Sequence, residues 1–347
     1  MLARNDDCAL TCIYHGWKIA PDGRVLETPA EPEDSTFYQR VRAQAYPVYE
    51  DGGIVWAYLG PAGTEPPRMH FDWMSLPQDH VQIQKVREDC NWVQCLEGVI
   101  DSAHSNVLHR NLITPVPGEA SVSSDGTYKT LRPSDDTAPR IEAEDTSYGF
   151  RYAAIRKPLV DPDKRDYVRV TLFIAPFLSF FPGPVGWTHM QIFVPVDDEH
   201  TMFHFVQVKQ DGPIDAELLK RREKRSAMQL GIDIDAEYRK VRTRANNWLQ
   251  DRAARMAGTN FTGMAGVNNE DIAVQESMGP MYDRSREHLG ASDIAVIRMR
   301  RIMLDGLRAF EAGGPAVGLA APVAYDTLHA EERMIPKETP WQGELVG

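Results

Sequence analysis

The sequence predicts an α+β fold, in which a small all-β module precedes a larger domain built from an antiparallel sheet flanked by helices. Residues 1–65 contain short apolar runs separated by Gly- and Asp-containing turns, whereas later segments change between strand-like and helix-like apolar spacing. Pro and Gly cluster in residues 61–67 without apolar periodicity, as in a linker. We therefore place two domains, at 1–65 and 66–347.

The first module is predicted to consist of short strands joined by tight turns. Asp-Gly pairs at 22–23 and 51–52 lie between apolar runs, which is a strong short-range signal for a β-hairpin. Strands are predicted around these pairs at residues 17–19, 25–27, 46–49 and 54–59.

The second domain mixes both kinds of element. Residues 81–86 alternate in polarity like a half-buried strand, 91–109 contain a helix, and 120–140 are polar and predict a long loop. Ser292 or Asp293 caps the last long helix, and Gly313-Gly314 ends it. The remaining predictions are strands at 140–157, 166–180 and 187–209, and helices at 214–230, 234–256, 270–287 and 292–312.

Composition excludes several functional classes. A net charge of -12 without a basic cluster argues against a nucleic-acid partner. The most apolar stretch, 170–187, contains three prolines and suits buried strands better than a membrane span. The first residues show no signal-peptide pattern, and four cysteines fit a reducing compartment. We expect a cytoplasmic protein.

One short segment, Asp101-x2-His104-x4-His109, carries an acid and two imidazoles. Neighbouring imidazoles are good ligands for iron, zinc, copper or nickel, and a carboxylate beside them can orient a ligand. On a regular helix the two histidines would point ~140° apart, so we expect the helix to loosen or end between them. Chance occurrence in a chain with ten histidines is the alternative. A zinc hydrolase that uses both histidines and one acid is another.

A second motif, Cys12-Ile-Tyr-His15-Gly-Trp17, stands near the start of the chain. The pairing of Cys-x2-His-Gly-Trp with the later Asp-x2-His-x4-His resembles the Rieske non-haem iron oxygenases. These are the large (alpha) subunits of aromatic-ring-hydroxylating oxygenases. Glu97-Gly98 before Asp101, and the later run 275–284, are similar to the phthalate 4,5-dioxygenase branch. The resemblance covers essentially the whole chain.

The resemblance implies a Rieske [2Fe–2S] cluster, in which two Cys bind one iron and two His bind the other. Cys12 and His15 match the second Cys–His pair of the family, while the first pair would precede Met1. Cys8 has the wrong spacing to replace it. We therefore expect an N-terminally truncated chain with a partial Rieske module. True loss of the cluster is the alternative.

The resemblance also implies a mononuclear Fe(II) held by two histidines and one carboxylate. His104 and His109 match the histidines, and Asp271 matches the carboxylate, with Glu270 and Glu276 as competitors. An acid in the first turn of a helix is the alternative explanation of Asp271. Asp101 matches the acid that connects an iron-bound histidine to the cluster of a neighbouring subunit, which implies a homo-oligomer, as in trimeric relatives.

The activity implied by the family is O2-dependent hydroxylation of a small aromatic substrate, with electrons from a separate flavin and iron–sulfur reductase that uses NAD(P)H. For a carboxylated substrate, Arg169 is the candidate clamp, although a solvent-facing strand position explains it equally well. Monohydroxylation, O-demethylation and a cluster-less pseudo-enzyme or ligand-binding subunit remain open. The pocket is expected along 170–181 and 187–205 and in the region before Asp271.

Overall fold

The computed structural model describes residues 2–61, 63–124, 129–319 and 321–345. It divides into two compact units, Met1–His70 and Phe71–Gly347. The boundary lies close to the division predicted at residues 65 and 66.

Short antiparallel strands form the first unit. Gly23 and Gly52 occupy the two predicted turns with φ of +82° and +59°, a conformation that glycine adopts without steric cost. A side chain at Gly23 would also collide with the carbonyl oxygen of Ala43. The strands are β1 (Ala3–Asp6), β2 (Ala9–Cys12), β3 (Lys18–Ile19), β4 (Val25–Glu27), β5 (Val48–Asp51) and β6 (Ile54–Ala57). β1 to β4 pair in sequence order, and β5 pairs with β6.

The second unit combines strands and helices, as expected for an α+β protein. Its strands are β7 (Val81–Glu88), β8 (Ile113–Pro115), β9 (Val122–Ser123), β10 (Thr130–Arg132), β11 (Arg140–Thr146), β12 (Gly149–Arg156), β13 (Arg165–Ile174), β14 (Leu178–Pro182), β15 (Trp187–Pro195), β16 (Thr201–Lys209) and β17 (Glu332–Pro336). Its helices are α1 (Trp92–Ile100), α2 (Ser105–Leu108), α3 (Ala216–Ser226), α4 (Arg252–Met256), α5 (Val267–Ser277), α6 (Ile294–Glu311) and α7 (Trp341–Glu344).

A long antiparallel sheet organises this unit, in the order β11-β12-β13-β14-β15-β16-β7. Each of the three long predicted strand regions contains parts of two strands, because a turn divides it. β14 pairs with the end of β13 on one side and with β15 on the other, and β17 pairs with the beginning of β13. This register places Glu332 opposite Arg169.

The core lies between the sheet and the helices α1, α5 and α6. The sheet contributes a row of aromatic rings, among which Phe193 and Phe203 stack with their centroids 5.1 Å apart. Buried aliphatic side chains of the helices pack against these rings; they are Leu96, Ile100, Ile272, Val296 and Met299. Burying each such side chain contributes roughly 1.5–3 kcal/mol, so this layer fixes α1 and α5 against the sheet.

The helix predicted at 234–256 is wrong over most of its length, since only Arg252–Met256 is α-helical. The Asp235 carboxylate accepts hydrogen bonds from the backbone N–H groups of Glu237 and Arg239, which favours a turn. Further on, Trp248 has a left-handed backbone, and its indole donates a hydrogen bond to a distant glutamate. Tertiary contacts therefore override the local helical pattern.

Other predicted elements differ in extent. α5 ends at Ser277, ten residues before the predicted end at 287, because Gly279 with φ +100° and Pro280 follow it. The segment 120–140 is not a continuous loop, since β9 and β10 pair with each other and β10 pairs with β8. Residues 125–128 of this segment lie outside the described residues.

Among the described residues, no helix combines the length and the apolar character needed to cross a bilayer. The cytoplasmic location stays a prediction.

Candidate metal centre and cavity

The helix that leads to the histidines has well-defined ends. Asn91 caps its start, because its side-chain oxygen accepts the N–H of Val93 at 3.1 Å, an arrangement that stabilises a helix by about 1 kcal/mol. Asp101 ends α1 with an extended backbone conformation. Its carboxylate accepts the N–H groups of Ala103 and His104 at 2.7 and 3.3 Å. The chain therefore turns and starts α2 immediately after His104.

The break in the helix lies before His104, whereas we expected it between the two histidines. His104 precedes the short helix α2 and His109 follows it. The two imidazole rings face each other at right angles, with centroids 5.2 Å apart. Because a short helix of one turn separates them, both rings can reach one point.

α5 brings the third group of the site. His109 Nε2 lies 3.1 Å from Asp271 Oδ1, and His104 Nε2 lies 3.6 Å from the same oxygen. The three possible ligand atoms all lie within 4.8 Å of one another. Two imidazoles and one carboxylate are the donor set typical of a mononuclear Fe(II) site with open positions, and these three residues could hold a metal ion.

Two further carboxylates contact the Nδ1 atoms of the two histidines, whereas Asp271 lies near their Nε2 atoms. Glu270 Oε2 accepts the Nδ1–H of His109 at 2.8 Å, and Asp101 Oδ2 lies 3.3 Å from His104 Nδ1. Glu270 is 1% exposed, and its other oxygen accepts the hydroxyl of Thr262 at 2.6 Å. These contacts leave the Nε2 atom of each ring free to face a cation, as in metal sites where an outer carboxylate orients the ligand.

Protonation of His109 reflects the acids around it. Burial alone would lower the pKa of His109, but Asp271 and Glu270 outweigh burial and raise this pKa to about 9. Similarly, burial opposes ionisation of Asp101, but His104 and the backbone N–H groups lower the pKa of this acid overall. A bound divalent cation would replace the proton on the His109 nitrogen that faces Asp271.

The competing carboxylates have other partners. Glu270 orients His109 from the side away from Asp271, and Glu276 forms an ion pair with Lys240 at 2.5 Å. Of the three acids considered, Asp271 is therefore the one placed to complete the histidine pair.

A cavity that is partly open to solvent adjoins the three groups. Aromatic side chains from the predicted pocket regions line one part, namely Phe181, Phe193, Phe203 and Phe205. Buried polar residues line another part, namely Arg132, Arg169, His189, Gln207 and Arg222. The cavity thus offers both an apolar wall and several cationic groups.

Arg169 lines the cavity, but it is not a free guanidinium. Its NH1 group forms an ion pair with Glu332, and its NH2 group donates to the carbonyl oxygen of Pro182 at 2.9 Å. Arg169 is also buried, so the solvent-facing alternative is excluded. Its role in substrate binding stays a prediction.

Cys12 and His15 lie in the first unit, at and just after the end of β2. Cys12 is partly buried, and the ring of His15 contacts that of Tyr14 with centroids 3.9 Å apart. The two residues can provide two of the four ligands of a Rieske cluster. The sequence contains no Cys-x-His pair to provide the others, so the residues present do not fit a complete cluster.

Comparison with known proteins identifies the family of this chain. The family model described as "LigXa C-terminal domain like" matches residues 57–345. Phthalate 4,5-dioxygenase oxygenase subunit from Pseudomonas putida is 42% identical over 98% of this chain and 76% of its own length. 3-Chlorobenzoate-3,4-dioxygenase oxygenase subunit from Comamonas testosteroni is 29% identical over 98% of this chain and 79% of its own length.

Among solved structures, the NdmA QL mutant of Pseudomonas putida CBB5 with caffeine has the same fold. Its TM-score is 0.57 at 16% identity, with 92% of this chain and 78% of that chain covered. The fold and the histidine–carboxylate site define a non-haem iron oxygenase. The chain belongs to the Rieske aromatic-ring-hydroxylating oxygenase family, as an oxygenase subunit of the phthalate 4,5-dioxygenase type. Proteins of this family carry a Rieske [2Fe–2S] cluster and a mononuclear iron, with O2 as the co-substrate.

Sequence reasoning missed several residues of the site. Glu270 was considered only as a ligand, and its position behind His109 depends on the tertiary packing of α5. Arg222 lies in the charged run 220–225, which is typical of a solvated helix face, yet the residue is buried against the cavity. The spacing within α3 carried no signal that could have separated Arg222 from its neighbours.

Proposed function

We propose that this chain is the oxygenase component of a two-component system that hydroxylates a small aromatic, carboxylated substrate with O2. A flavin and iron–sulfur reductase that uses NAD(P)H would supply the electrons. The observation that carries the proposal is the convergence of His104 Nε2, His109 Nε2 and Asp271 Oδ1 at the wall of a cavity.

The residues of the site have separate roles in this proposal. His104, His109 and Asp271 would hold a single Fe(II), which supplies the open coordination positions for oxygen chemistry. Glu270 fixes the orientation of His109 and keeps its Nδ1 proton in place. Asp101 Oδ2, 3.3 Å from His104 Nδ1, does the same for His104. Together they hold the ligands in the required directions before a metal binds.

The cavity walls favour a flat, apolar substrate. Phe181 and Phe205 stack with centroids 6.1 Å apart, and Phe203 and Phe205 stack at 6.3 Å. Such a wall excludes water from one side of the cavity and offers aromatic faces for ring contacts. Arg169 stays the sequence-based candidate for contact with a substrate carboxylate.

We further propose that the functional protein is a homotrimer, in which Asp101 connects the iron-bound His104 to the cluster of a neighbouring subunit. The side chain of Asp101 is 28% exposed, which leaves part of its carboxylate accessible to a partner. Where such a cluster is complete, Cys12 and His15 would provide two of its four ligands. A hydrogen-bonded path through a carboxylate would give electrons a short route between the two centres.

The test uses hydrogen peroxide, because it stands at the oxidation level of O2 plus two electrons and two protons. The iron-loaded chain is treated with 18O-labelled peroxide and benzoate or phthalate, so that neither reductase nor cluster is needed. Labelled hydroxylated product is expected from the wild type and from Asp305→Asn, an exposed acid on α6. Asp271→Asn should give none. Iron bound without labelled product would contradict the proposal, while the number of labelled oxygens in the product, two or one, distinguishes ring dihydroxylation from monohydroxylation.

A further inference from the structure

In the part of the chain that the structure describes, a second group of possible metal ligands lies apart from the two histidines. Glu88, Cys90 and Cys95 each offer one ligand atom, and these atoms lie within 4.8 Å of one another. The two sulfurs are 3.5 Å apart, and the Cys95 thiol donates a hydrogen bond to Glu88 Oε2 at 3.2 Å. Both thiols are 0% exposed, and Glu88 is 1% exposed. We call these three residues the thiol cluster.

The separations within the thiol cluster fit a single zinc ion. Zinc binds sulfur at ~2.3 Å and a carboxylate oxygen at ~2.0 Å, so at tetrahedral angles two sulfurs would be ~3.8 Å apart and a sulfur and an oxygen ~3.5 Å apart. The separations of Cys90 Sγ from Cys95 Sγ and of Cys95 Sγ from Glu88 Oε2 are each about 0.3 Å shorter than these values. A small outward rotation of the side chains would therefore admit the cation between them.

The backbone that carries these ligands is held from several sides. Glu88 ends β7 opposite Thr201 on β16, and the Thr201 hydroxyl donates a hydrogen bond to the carbonyl oxygen of Cys90 at 2.8 Å. Between the two ligands, the N–H of Asp89 donates to Glu276 Oε1 on α5 at 2.8 Å. Cys95 lies within α1. The three ligands are thus brought together by the fold before any metal binds, which lowers the entropic cost of binding.

The thiol cluster also lacks positive charge of its own. Burial raises the pKa of the Cys95 thiol, and Cys90 and Glu88 raise it further. Burial likewise raises the pKa of Glu88 to about 8. Without a metal the cluster therefore keeps its protons at neutral pH. A divalent cation would displace these protons and balance the charge of the ligands.

The ligand types indicate which cation fits. Thiolates bind zinc and Cu(I) well, and a carboxylate oxygen is a common ligand of zinc but a poor one for the softer Cu(I). Iron instead suits the two imidazoles and one carboxylate of the other site. Glu88 also lines the cavity, which is partly open to solvent. This opening provides a path for the cation and room for a water molecule as the fourth ligand.

We propose that Glu88, Cys90 and Cys95 bind one zinc ion, separate from the iron site, which ties the end of β7 to the start of α1. A zinc ion held in this way contributes directly to folding free energy. α1 ends at Asp101, three residues before His104, so the zinc would stabilise the helix that leads to the histidines. The inference goes beyond the proposed function and does not depend on it.

The experiment counts zinc in the protein that already holds iron. Zinc is added to the iron-loaded full chain under anaerobic conditions with a thiol-free reductant, and both metals are measured after free metal has been removed. The wild type should bind about one zinc per chain and keep its iron. Zinc should also raise the melting temperature, because it binds the folded state. Co(II) in place of zinc should give the near-ultraviolet absorption of a cobalt–thiolate bond, which histidine and carboxylate ligands do not give.

Variants then assign the ligands. Cys90→Ser and Cys95→Ser should each weaken zinc binding by more than about 100-fold, since losing a ligand costs more than losing an outer contact. Glu88→Gln keeps both thiolates, so the cobalt–thiolate band should remain while zinc binds more weakly. Cys8→Ser is the matched control, because it removes an exposed thiol of the first unit, and it should behave like the wild type.

Several outcomes would overturn the proposal. Wild-type protein that keeps its iron and binds no zinc would do so, and this result does not depend on whether any variant folds. Zinc that binds only by displacing iron would place it at the histidines, and a cobalt–thiolate band lost in Cys12→Ser would place the thiolate in the first unit. Unchanged zinc affinity in Glu88→Gln would exclude the carboxylate as a ligand. Zinc binding without a rise in melting temperature would contradict the structural role.

Discussion

Replacing Glu270 with Gln tests how the site holds its metal. In the structure, Glu270 Oε2 lies 2.8 Å from His109 Nδ1. Glutamine has the same shape as glutamate and keeps an oxygen that can accept the Nδ1–H of His109, but the substitution removes the negative charge. Loss of such an outer carboxylate weakens metal binding by about 10–100-fold, which corresponds to about 1.4–2.7 kcal/mol. Glu270 is almost completely buried, so solvent screens this charge little, and we expect an effect toward the upper end of the range.

Competition with a coloured chelator measures the Fe(II) dissociation constant for the wild type, Glu270→Gln and Asp271→Asn. Glu217→Gln, which changes an exposed acid on α3, is the control and should bind like the wild type. Asp271→Asn should lose the metal almost entirely, because a proposed ligand is removed. The reasoning would be refuted if Glu270→Gln abolished binding as completely as Asp271→Asn, since Glu270 would then be a ligand. An unchanged Fe(II) dissociation constant for Glu270→Gln would also refute the reasoning.

Three further predictions concern neighbouring groups. Burial raises the pKa of Glu88 to about 8 from 4.5, so this acid favours folding below about pH 4.5, and the benefit is lost as the pH rises toward 8. In metal-free protein, the melting temperature of Glu88→Gln should therefore be higher than that of the wild type at pH 8 and close to it at pH 4.5. Glu332→Gln leaves the buried Arg169 without a counter-ion and should lower the free energy of unfolding, measured with denaturant, by about 3–5 kcal/mol. A decrease below about 1 kcal/mol would contradict the importance of the buried pair. Asp101→Asn should weaken Fe(II) binding by a smaller factor than Glu270→Gln, because Asp101 is more exposed and its carboxylate lies 3.3 Å from His104 Nδ1. A larger factor for Asp101→Asn in the chelator assay would contradict this prediction.

The fold class followed from the sequence because its signals are local. Asp-Gly turns and alternating polarity depend on neighbouring residues, and both units contain the kinds of element that these patterns predict. The region 234–249 could not be predicted in this way. Its turns depend on the side chain of Asp235 and on the contact between Trp248 and Glu276, which α5 brings from far along the chain.

The residues of the candidate metal site also differ in whether local sequence patterns could indicate them. Asp101, His104 and His109 lie within one short segment, so their spacing indicated the site directly. Asp271 was assigned by family resemblance, and the structure brings it to the histidines. The sequence does not indicate that Arg222 on α3 donates a hydrogen bond to Gln207 on β16, because the charged helix packs against this buried strand only in the folded protein.

Metal analysis combined with a visible spectrum of anaerobically purified protein tests the central claim most directly. With one histidine–carboxylate site and only two cluster ligands, the 347-residue chain should hold about one iron without the absorption bands of a [2Fe–2S] cluster. The Asp271→Asn variant should lose that iron. Three irons with cluster bands would show that the missing ligands were misjudged. Zinc in place of iron would contradict the assignment of the site as an oxygenase centre.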